Sequence, residues 1–267
     1  MKSTIITGST RGIGFALAAG FLDRGCRVTI SGRSQASVDD AVEELSSQYD
    51  PENLHGQPCD VTEIEQVRAL WAASKARWGA VDVWINNAGQ GNPYLPFWEQ
   101  EPDTMRAIVE ANLLGTMYGT LAALEGMREQ GRGQIYNMEG FGSDGRTRPG
   151  LTVYASTKSA VRTFTRSLLR EIEETGDDWV LLGTLSPGMV LTDLLIGAAE
   201  ARPAELDRVK RVFNILADRA ETVAPWLVDR ILANDRQGAH IAWLTRAKVM
   251  GRFLTAPFNR RDLFADR

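Results

Sequence analysis

The sequence predicts an α/β domain, because short apolar runs typical of strands alternate with helical patterns along most of the chain. Thr4 to Thr7 is a β-branched run of the kind found in buried strands, and a helical pattern runs from Phe15 to Arg24. A glycine-rich turn, Gly8 to Gly14, joins the two. The 267 residues exceed the usual ~100–200 of one domain, but α/β folds reach this size as a single unit.

The other elements are predicted from their hydrophobic period and from the turn residues beside them. Strands are expected at Ser3–Thr7, Arg27–Ser31, Leu54–Cys59, Val81–Ile85, Gly133–Met138 and His240–Leu244. Helices are expected at Phe15–Arg24, Asp39–Tyr49, Ile64–Trp78 and Glu101–Glu125, from Val153 onward, and at Arg219–Leu232. We assign residues 1–244 to one domain and 245–267 to a tail that belongs to the same domain or to an oligomer interface.

The composition is that of a soluble globular protein, with 43% hydrophobic residues, 24% charged residues and a net charge of −4. A negative chain gives no sign of nucleic-acid binding. Cys26 and Cys59 lie far apart without metal-ligand spacing, so we expect no metal site and two core thiols in a reducing compartment. No apolar run of about 18 residues stands out, and a strand at Lys2 or Ser3 leaves no room for a signal peptide. We therefore expect a cytosolic protein without a membrane span.

The glycine turn indicates a dinucleotide site. Gly8, Gly12 and Gly14 are spaced Gly-x3-Gly-x-Gly between a strand and a helix. Such a turn lets backbone N–H groups approach a pyrophosphate at the start of the helix. The spacing differs from the more general G-x-G-x-x-G fingerprint, so the strand–turn–helix context carries the prediction.

Two arginines favour NADP over NAD. NAD sites place an acidic residue about 20 positions past the glycines, where it binds the ribose 2′-hydroxyl. Here Arg33 lies 19 residues past Gly14, and Arg11 lies inside the turn. Guanidinium groups pair well with a 2′-phosphate, although both could also be ordinary surface arginines. Asp60, after the third strand, is a candidate acceptor for the adenine amino group, while Thr62 could cap the next helix.

Tyr154 and Lys158 suggest acid–base chemistry. They lie four residues apart in Tyr154-Ala-Ser-Thr-Lys158, so a helix would place them on one face. A nearby ammonium group lowers the pKa of a phenol, which can then exchange a proton with a substrate oxygen. The alternative is a surface pair on an amphipathic helix.

Five motifs in order resemble the short-chain dehydrogenase/reductase family. They are Thr7-Gly8-x3-Gly12-x-Gly14, Asn86-Asn87-Ala88-Gly89, Asn112, Tyr154-x3-Lys158 and Pro187-Gly188. The resemblance implies a doubly wound (Rossmann) seven-stranded parallel sheet with helices on both faces and NADP(H) across its carboxyl edge.

The resemblance also implies residue roles. Tyr154 would be the general acid, Lys158 would lower its pKa and bind the nicotinamide ribose, and Asn112 would hold a water through its backbone carbonyl. Thr192 would contact the cofactor. The full set of expected cofactor contacts is Gly8, Thr10, Arg11, Gly12, Ile13, Gly14, Arg33, Asp60, Val61, Asn87, Ala88, Gly89, Tyr154, Lys158, Pro187, Gly188, Val190 and Thr192.

The serine that this family carries thirteen residues before its tyrosine is missing, because position 141 is Phe141. The usual serine pair appears as Glu139-Gly140. We favour Ser143, in a glycine-rich loop, as the replacement that polarises the substrate carbonyl. The alternatives are Asp144, backbone N–H groups, or a disabled site.

The stretch Asn137-Met138-Glu139-Gly140-x-Gly142-Ser143 narrows the resemblance to chlorophyll b reductase and its bacterial relatives. Residues 186–195, 213–216 and 221–224 resemble that group too. Those enzymes use NADPH to reduce the 7-formyl group of a chlorophyll. We therefore expect an NADPH-dependent carbonyl reductase acting on a bulky hydrophobic substrate, with a tetrapyrrole as one candidate. The alternatives are a general alcohol/ketone oxidoreductase on lipids or secondary metabolites, and a non-catalytic NADPH-sensing module.

Two surfaces suggest partners. The apolar run 189–196 could line the substrate cleft, or could serve core or oligomer packing. The tail 245–267 interleaves basic and apolar residues, so it could rest on an anionic membrane. Packing on a sister subunit, in a homodimer or homotetramer, is the other explanation.

Overall fold

The computed structural model describes residues 1–176, 178–191, 206–256, 258 and 261–264. The strands are β1 (Ser3–Ile6), β2 (Arg27–Gly32), β3 (Leu54–Pro58), β4 (Val83–Asn86), β5 (Gly133–Met138), β6 (Val180–Ser186), β7 (Val190–Leu191), β8 (Asp218–Arg219) and β9 (His240–Ala242). The helices are α1 (Gly12–Leu22), α2 (Gln35–Ser46), α3 (Ile64–Trp78), α4 (Pro102–Val109), α5 (Gly115–Gln130), α6 (Thr152–Thr175), α7 (Leu206–Leu216), α8 (Ala220–Leu232) and α9 (Arg246–Thr255).

Seven strands form one parallel sheet in the order β3-β2-β1-β4-β5-β6-β9. The order reverses on either side of β1, which is the doubly wound arrangement expected from the sequence. In such sheets ligands bind beyond the carboxyl ends of the strands near the reversal. The glycine turn follows β1 and Asn87 follows β4, so both lie at that point.

Helices cover both faces of the sheet because successive strand residues point to opposite sides. Ile6 and Ile85 pack in a core with α1, α2 and α8, while Ile5 and Trp84 pack in a second core with α3 and α5. The two cysteines are buried free thiols, as expected. Two apolar cores of this kind fix the strand register and therefore the residues at the carboxyl edge.

Two of the predicted helices differ most from the structure. The second helix begins at Gln35, not at Asp39, because the side chain of Ser34 accepts a hydrogen bond from the backbone N–H of Ser37 and caps it. The helix expected over 101–125 is divided into α4, a π-helical segment at Glu110–Leu114, and α5. A short π-helical segment hardly changes the spacing of apolar residues along the helix, so the sequence pattern does not reveal it.

One helical stretch bears on the expectation that no apolar run is long enough to span a membrane. The helical stretch Pro102–Gln130 is long and apolar enough, by length and composition alone, to cross a membrane. Core helices of soluble proteins pass the same test, and Ala122, Ala123 and Met127 of this stretch are buried in the core with α3.

Several basic side chains of the tail bind groups elsewhere in the protein. Arg252 and Arg261 both donate to the buried carboxylate of Asp218, at 2.7 and 2.9 Å. Lys248 lies over the ring of Trp243, whose indole N–H also donates to Asp218. These contacts attach the tail to β8. The domain boundary at residue 244 stays a prediction, and so does contact of the tail with a membrane or a sister subunit.

Candidate active site

The turn between β1 and α1 has features that let a ligand approach its backbone closely. Gly8 and Gly12 have φ of 61° and 60°, a conformation that glycine adopts at little cost. A Cβ built at Gly8 would come within 2.7 Å of the Cα of Ala88. No side chain caps α1 and its first turn contains no acidic residue, so the free N–H groups of that turn suit an anion.

Asn87 attaches this turn to the end of β4. Its side-chain amide donates to the carbonyls of Thr7 and Gly8, both at 2.9 Å. In return the hydroxyl of Thr7 accepts from the backbone N–H groups of Asn87 and Ala88, both at 3.0 Å. The glycine turn and the Asn87-Ala88-Gly89 segment therefore form one rigid unit, and the structure brings together these two sequence motifs.

Arg11 and Arg33 lie at the same edge of the sheet. Arg11 immediately precedes α1, Arg33 follows β2, and a Cβ built at Gly32 would come within 2.7 Å of the Thr10 side chain. Both arginines are exposed, and within the described part of the chain neither makes an ion pair. Two guanidinium groups without an acidic partner beside the turn can receive a phosphate.

Asp60 and Val61 follow β3, but the local structure differs from the expectation for Thr62. Asp60 Oδ1 accepts from both the backbone N–H and the hydroxyl of Thr62, at 3.0 and 2.8 Å. The residue before α3 is Glu63, so Thr62 is not its N-cap. Val61 is buried and contacts Gly115, which places it under the start of α5.

The last cofactor contacts expected from the sequence follow β6. Gly188 has φ of 75°, and a Cβ there would contact the side chain of Leu244. Pro187 precedes this turn, and Val190 is buried at the start of β7. Thr192 and the apolar residues 194–196 lie outside the described residues.

Tyr154 and Lys158 lie one turn apart in α6, as predicted, at the carboxyl end of β5. Lys158 is buried, and its ammonium group donates to the backbone carbonyl of Met138 at 3.1 Å. Burial lowers the pKa of Lys158 to about 8, although the charge of Glu139 acts in the opposite direction.

The expected effect of Lys158 on Tyr154 needs correction. The ammonium group lies 5.8 Å from the centre of the Tyr154 ring, and burial raises the pKa of Tyr154 to about 12. Burial is the cause of this rise, so the phenol keeps its proton at neutral pH. A protonated phenol is the form that a general acid needs.

Asn112 lies in the π-helical segment and is fully buried. Its side-chain oxygen accepts from the backbone N–H of Gln90 at 2.7 Å, and its side-chain NH₂ group donates to the Gln90 carbonyl at 2.9 Å. The same NH₂ group also donates to the hydroxyl of Thr157. The backbone carbonyl of Asn112 accepts from the hydroxyl of Thr116. π-Helical segments occur often at functional sites, and this one joins the loop after β4 to α6.

Gly140 occupies the position next to the tyrosine hydroxyl. A Cβ built at Gly140 would overlap that hydroxyl and would come within 3.2 Å of Lys158 Cγ. Ser143 is buried nearby, and its hydroxyl accepts from the backbone N–H of Gly140 at 3.0 Å. Because the hydroxyl only accepts in this bond, its own proton is available to a substrate oxygen.

Asp144 is a poor substitute for the missing serine. Its side chain forms a 2.7 Å ion pair with Arg146 and points along the exposed part of the loop. Burial tends to raise the pKa of Asp144, but the hydrogen bonds from Arg146 outweigh it and keep the pKa below its ordinary value. A charged carboxylate has no proton to donate to a carbonyl.

Glu139 is a site residue that sequence reasoning did not assign to the chemistry. It follows β5 directly, is 4% exposed, and its Oε1 has no hydrogen-bond partner among the residues that the structure describes. The nearest basic side chains are Arg162, with Nε at 3.7 Å, and His240, with Nδ1 at 3.8 Å. An acidic residue directly after a largely buried strand was the signal that could have found it.

The sequence matches the family model for short chain dehydrogenases over residues 2–203. It is 38% identical over 259 residues to chlorophyll(ide) b reductase NOL of Oryza sativa subsp. japonica, a match that covers 95% of this chain and 74% of the relative. It is 40% identical over 251 residues to the protein of the same name from Arabidopsis thaliana, covering 92% and 70%. Both relatives are chloroplastic, so the expectation of a cytosolic protein is wrong.

Solved structures share the fold. An alcohol dehydrogenase from Thermococcus sibiricus, complexed with 5-hydroxy-NADP, matches with a TM-score of 0.73 at 24% identity, over 91% of this chain and 95% of that one. A 3-ketoacyl-(acyl-carrier-protein) reductase from Brucella melitensis, complexed with NADH, matches with a TM-score of 0.76 at 24% identity, over 91% and 96%. With the family match and the motif residues gathered at one edge of the sheet, the chain belongs to the short-chain dehydrogenase/reductase family of oxidoreductases.

Proposed function

We propose that the protein is an NADPH-dependent carbonyl reductase that acts on a formyl-bearing tetrapyrrole such as chlorophyll b or chlorophyllide b. The observation that carries the proposal is the 38% identity to a chlorophyll(ide) b reductase over 95% of the chain. Tyr154, Lys158 and Asn112 support it, because they converge at the carboxyl edge of the sheet.

The residues at this edge fit a nicotinamide dinucleotide. The glycine turn and the free N–H groups of α1 would hold the pyrophosphate, and Ala88 and Gly89 leave room beside them. Arg11 and Arg33 would pair with the 2′-phosphate that distinguishes NADPH from NADH. When bound, the reduced nicotinamide supplies the hydride for the reaction.

The protein side chains supply proton transfer and charge stabilisation. Tyr154 would donate its proton to the substrate oxygen, and Ser143 would donate a hydrogen bond to the same oxygen. Lys158 lies close enough to the Tyr154 ring to stabilise the phenolate that this transfer leaves. Asn112 would hold, through its backbone carbonyl, a water that returns the proton.

An apolar loop beside the site suits a large flat substrate. Asn92 accepts from the backbone N–H of Tyr154 at 3.2 Å, so the loop after β4 is attached to the start of α6. Farther along this loop Phe97 and Trp98 are exposed, at 52% and 84%. Exposed aromatic side chains near a site are typical of surfaces that bind apolar partners.

The test is NADPH oxidation by the purified protein with chlorophyll b, chlorophyllide b, a simple aromatic aldehyde and a lipid ketone. We expect turnover of the two tetrapyrroles, the formation of a hydroxymethyl product by mass spectrometry, and little activity with the small aldehyde. Activity on the ketone alone would favour a general alcohol/ketone oxidoreductase. NADPH binding without turnover of any carbonyl compound would favour a nucleotide-sensing protein.

A further inference from the structure

We propose that Glu139 is a positioning residue whose buried carboxylate keeps the ammonium group of Lys158 charged and in place. This inference rests on the proposed function, because it assigns Glu139 to the site in which Lys158 works. It concerns a residue that occupies part of the position where this family usually carries a serine pair.

The direction of the strand places Glu139 on the α6 side of the sheet. Side chains alternate along a strand, and Asn137, two residues earlier, donates to the hydroxyl of Thr165 in α6 at 2.9 Å. Glu139 therefore points toward the same helix. Lys158 and Arg162 lie one turn apart on the face of α6 that meets this strand end.

Lys158 is held by the same strand end. Its ammonium group donates to the carbonyl of Met138, and its aliphatic chain passes the Cα of Gly140. Met138, the residue before Glu139, thus contacts Lys158 directly, and Gly140, the residue after it, lies beside the Lys158 side chain. This brings the carboxylate close enough for its charge to raise the pKa of Lys158 against the effect of burial.

The alternative is that Glu139 serves only to stabilise the fold through other charges. The groups that face it are Lys158 and Arg162 from α6 and His240 from β9, and His240 Nδ1 also shares a 2.8 Å hydrogen bond with Thr184 in β6. Neither Arg162 nor His240 comes within hydrogen-bond distance of Oε1. A buried carboxylate oxygen without a hydrogen bond among the described residues is costly, so a stabilising role alone accounts poorly for Glu139.

The test follows the pH at which Lys158 loses its charge. NADPH affinity is measured by cofactor fluorescence from pH 6 to pH 10 without any carbonyl substrate. For the unmodified protein we expect constant affinity at low pH and weaker binding as the pH rises through about 8, where Lys158 becomes neutral. We call the pH at which NADPH affinity begins to fall the break. In Glu139→Gln the break should move down by about one pH unit, which makes NADPH binding about fivefold weaker at pH 8.

Two variants separate a positioning role from a stabilising one. Arg162→Gln removes the other strong charge beside Glu139 but leaves the carboxylate next to Lys158, so its break should stay in place. If Glu139→Gln does not fold, Glu139→Asp should show the same shift with a smaller size, because the shorter side chain withdraws the charge. A folded Glu139 variant with an unmoved break and only a lower melting temperature would overturn the proposal.

Binding and turnover distinguish the two proposals. If NADPH binds but none of the carbonyl compounds is reduced, the proposed function fails while the binding profile still decides the role of Glu139. If the tetrapyrroles are reduced and the break does not move in Glu139→Gln, the proposed function stands and the role of Glu139 is refuted.

Discussion

The hydroxyl of Tyr154 lies against the Cα of Gly140, so close that a Cβ at this position would overlap it. Gly140 is one of the two residues that replace the serine pair usual in this family. The site therefore has no space for a side chain next to the tyrosine, and a hydroxyl that polarises the substrate has to come from elsewhere in the loop. Ser143 is the buried hydroxyl in that loop.

Gly140→Ala should reduce activity strongly while the protein still folds. The added methyl group would displace the Tyr154 ring, and small displacements of reacting groups can cost about 10²-fold in rate. Initial rates of NADPH oxidation and the melting temperature measure the two effects. Gly251→Ala is the matched control, because no atom of the described residues lies within 4 Å of a Cβ at that position in α9, and it should be fully active.

Ser143→Ala should slow reduction without changing NADPH affinity. The hydroxyl accepts from the backbone of Gly140 and keeps its proton for the substrate oxygen, and loss of one such donor costs roughly 10²–10³-fold in rate. Turnover and cofactor titration test this together. Ser156→Ala, which removes an exposed hydroxyl of α6, is the control. A Ser143→Ala protein with normal turnover would indicate a backbone donor.

Tyr154→Phe should abolish turnover and leave NADPH binding nearly unchanged. The ring keeps its packing next to Gly140, but no proton reaches the substrate oxygen, and general acid catalysis contributes about 10²–10⁴-fold. Single-turnover rates and cofactor titration provide the comparison. Lys158→Ala should impair both turnover and NADPH binding, because it removes an expected cofactor contact as well as the charge beside the Tyr154 ring. Near-normal rates in Tyr154→Phe would show that another group is the acid.

Most of the fold could be predicted because its strands are short apolar runs followed by glycine or asparagine turns. β5 and α3 have the predicted bounds, and the strand order follows from motifs that the family shares. The small sheet of β7 and β8 was missed, since two residues per strand carry no period. The buried carboxylate of Asp218, which holds the tail there, shows no pattern in the sequence either.

The candidate site was predictable where function depends on residues close in sequence. A helical period was enough to place Tyr154 and Lys158 on one face, and the glycine turn was recognised from its position between a strand and a helix. Glu139 was missed because its neighbours, Arg162 and His240, are remote in sequence and meet it only in the folded sheet. The raised pKa of Tyr154 was also missed, since burial is a property of the packed site.

Arg33→Asp should reverse or abolish a preference for NADPH. Arg33 is exposed and has no acidic partner in the described part of the chain, and a carboxylate there would repel the 2′-phosphate but accept from a 2′-hydroxyl. Two charge-assisted contacts, from Arg11 and Arg33, are together worth ~3 kcal/mol, or about a hundredfold in affinity. Dissociation constants for NADPH and NADH measure the preference. Arg170→Asp, at the far end of α6, should have no effect, and equal affinity of the unmodified protein for both cofactors would contradict the prediction.

Asp218→Asn should destabilise the protein near the tail by about 3 kcal/mol, because it leaves Arg252 and Arg261 without their shared carboxylate. Burial alone would raise the pKa of Asp218, but the bonds from Trp243, Arg252 and Arg261 outweigh it and lower the pKa. A carboxylate of this kind stabilises the fold above its ordinary pKa of 3.8, and the contribution is lost as the pH falls through its lower folded value. Urea unfolding should therefore show the full difference in the free energy of unfolding between the two proteins at pH 7 and pH 5, and a smaller difference below pH 3.8.

Asp262→Asn, an exposed change in the same tail, should leave the free energy of unfolding unchanged. An Asp218→Asn protein as stable as the unmodified one would mean that this network does not hold the tail.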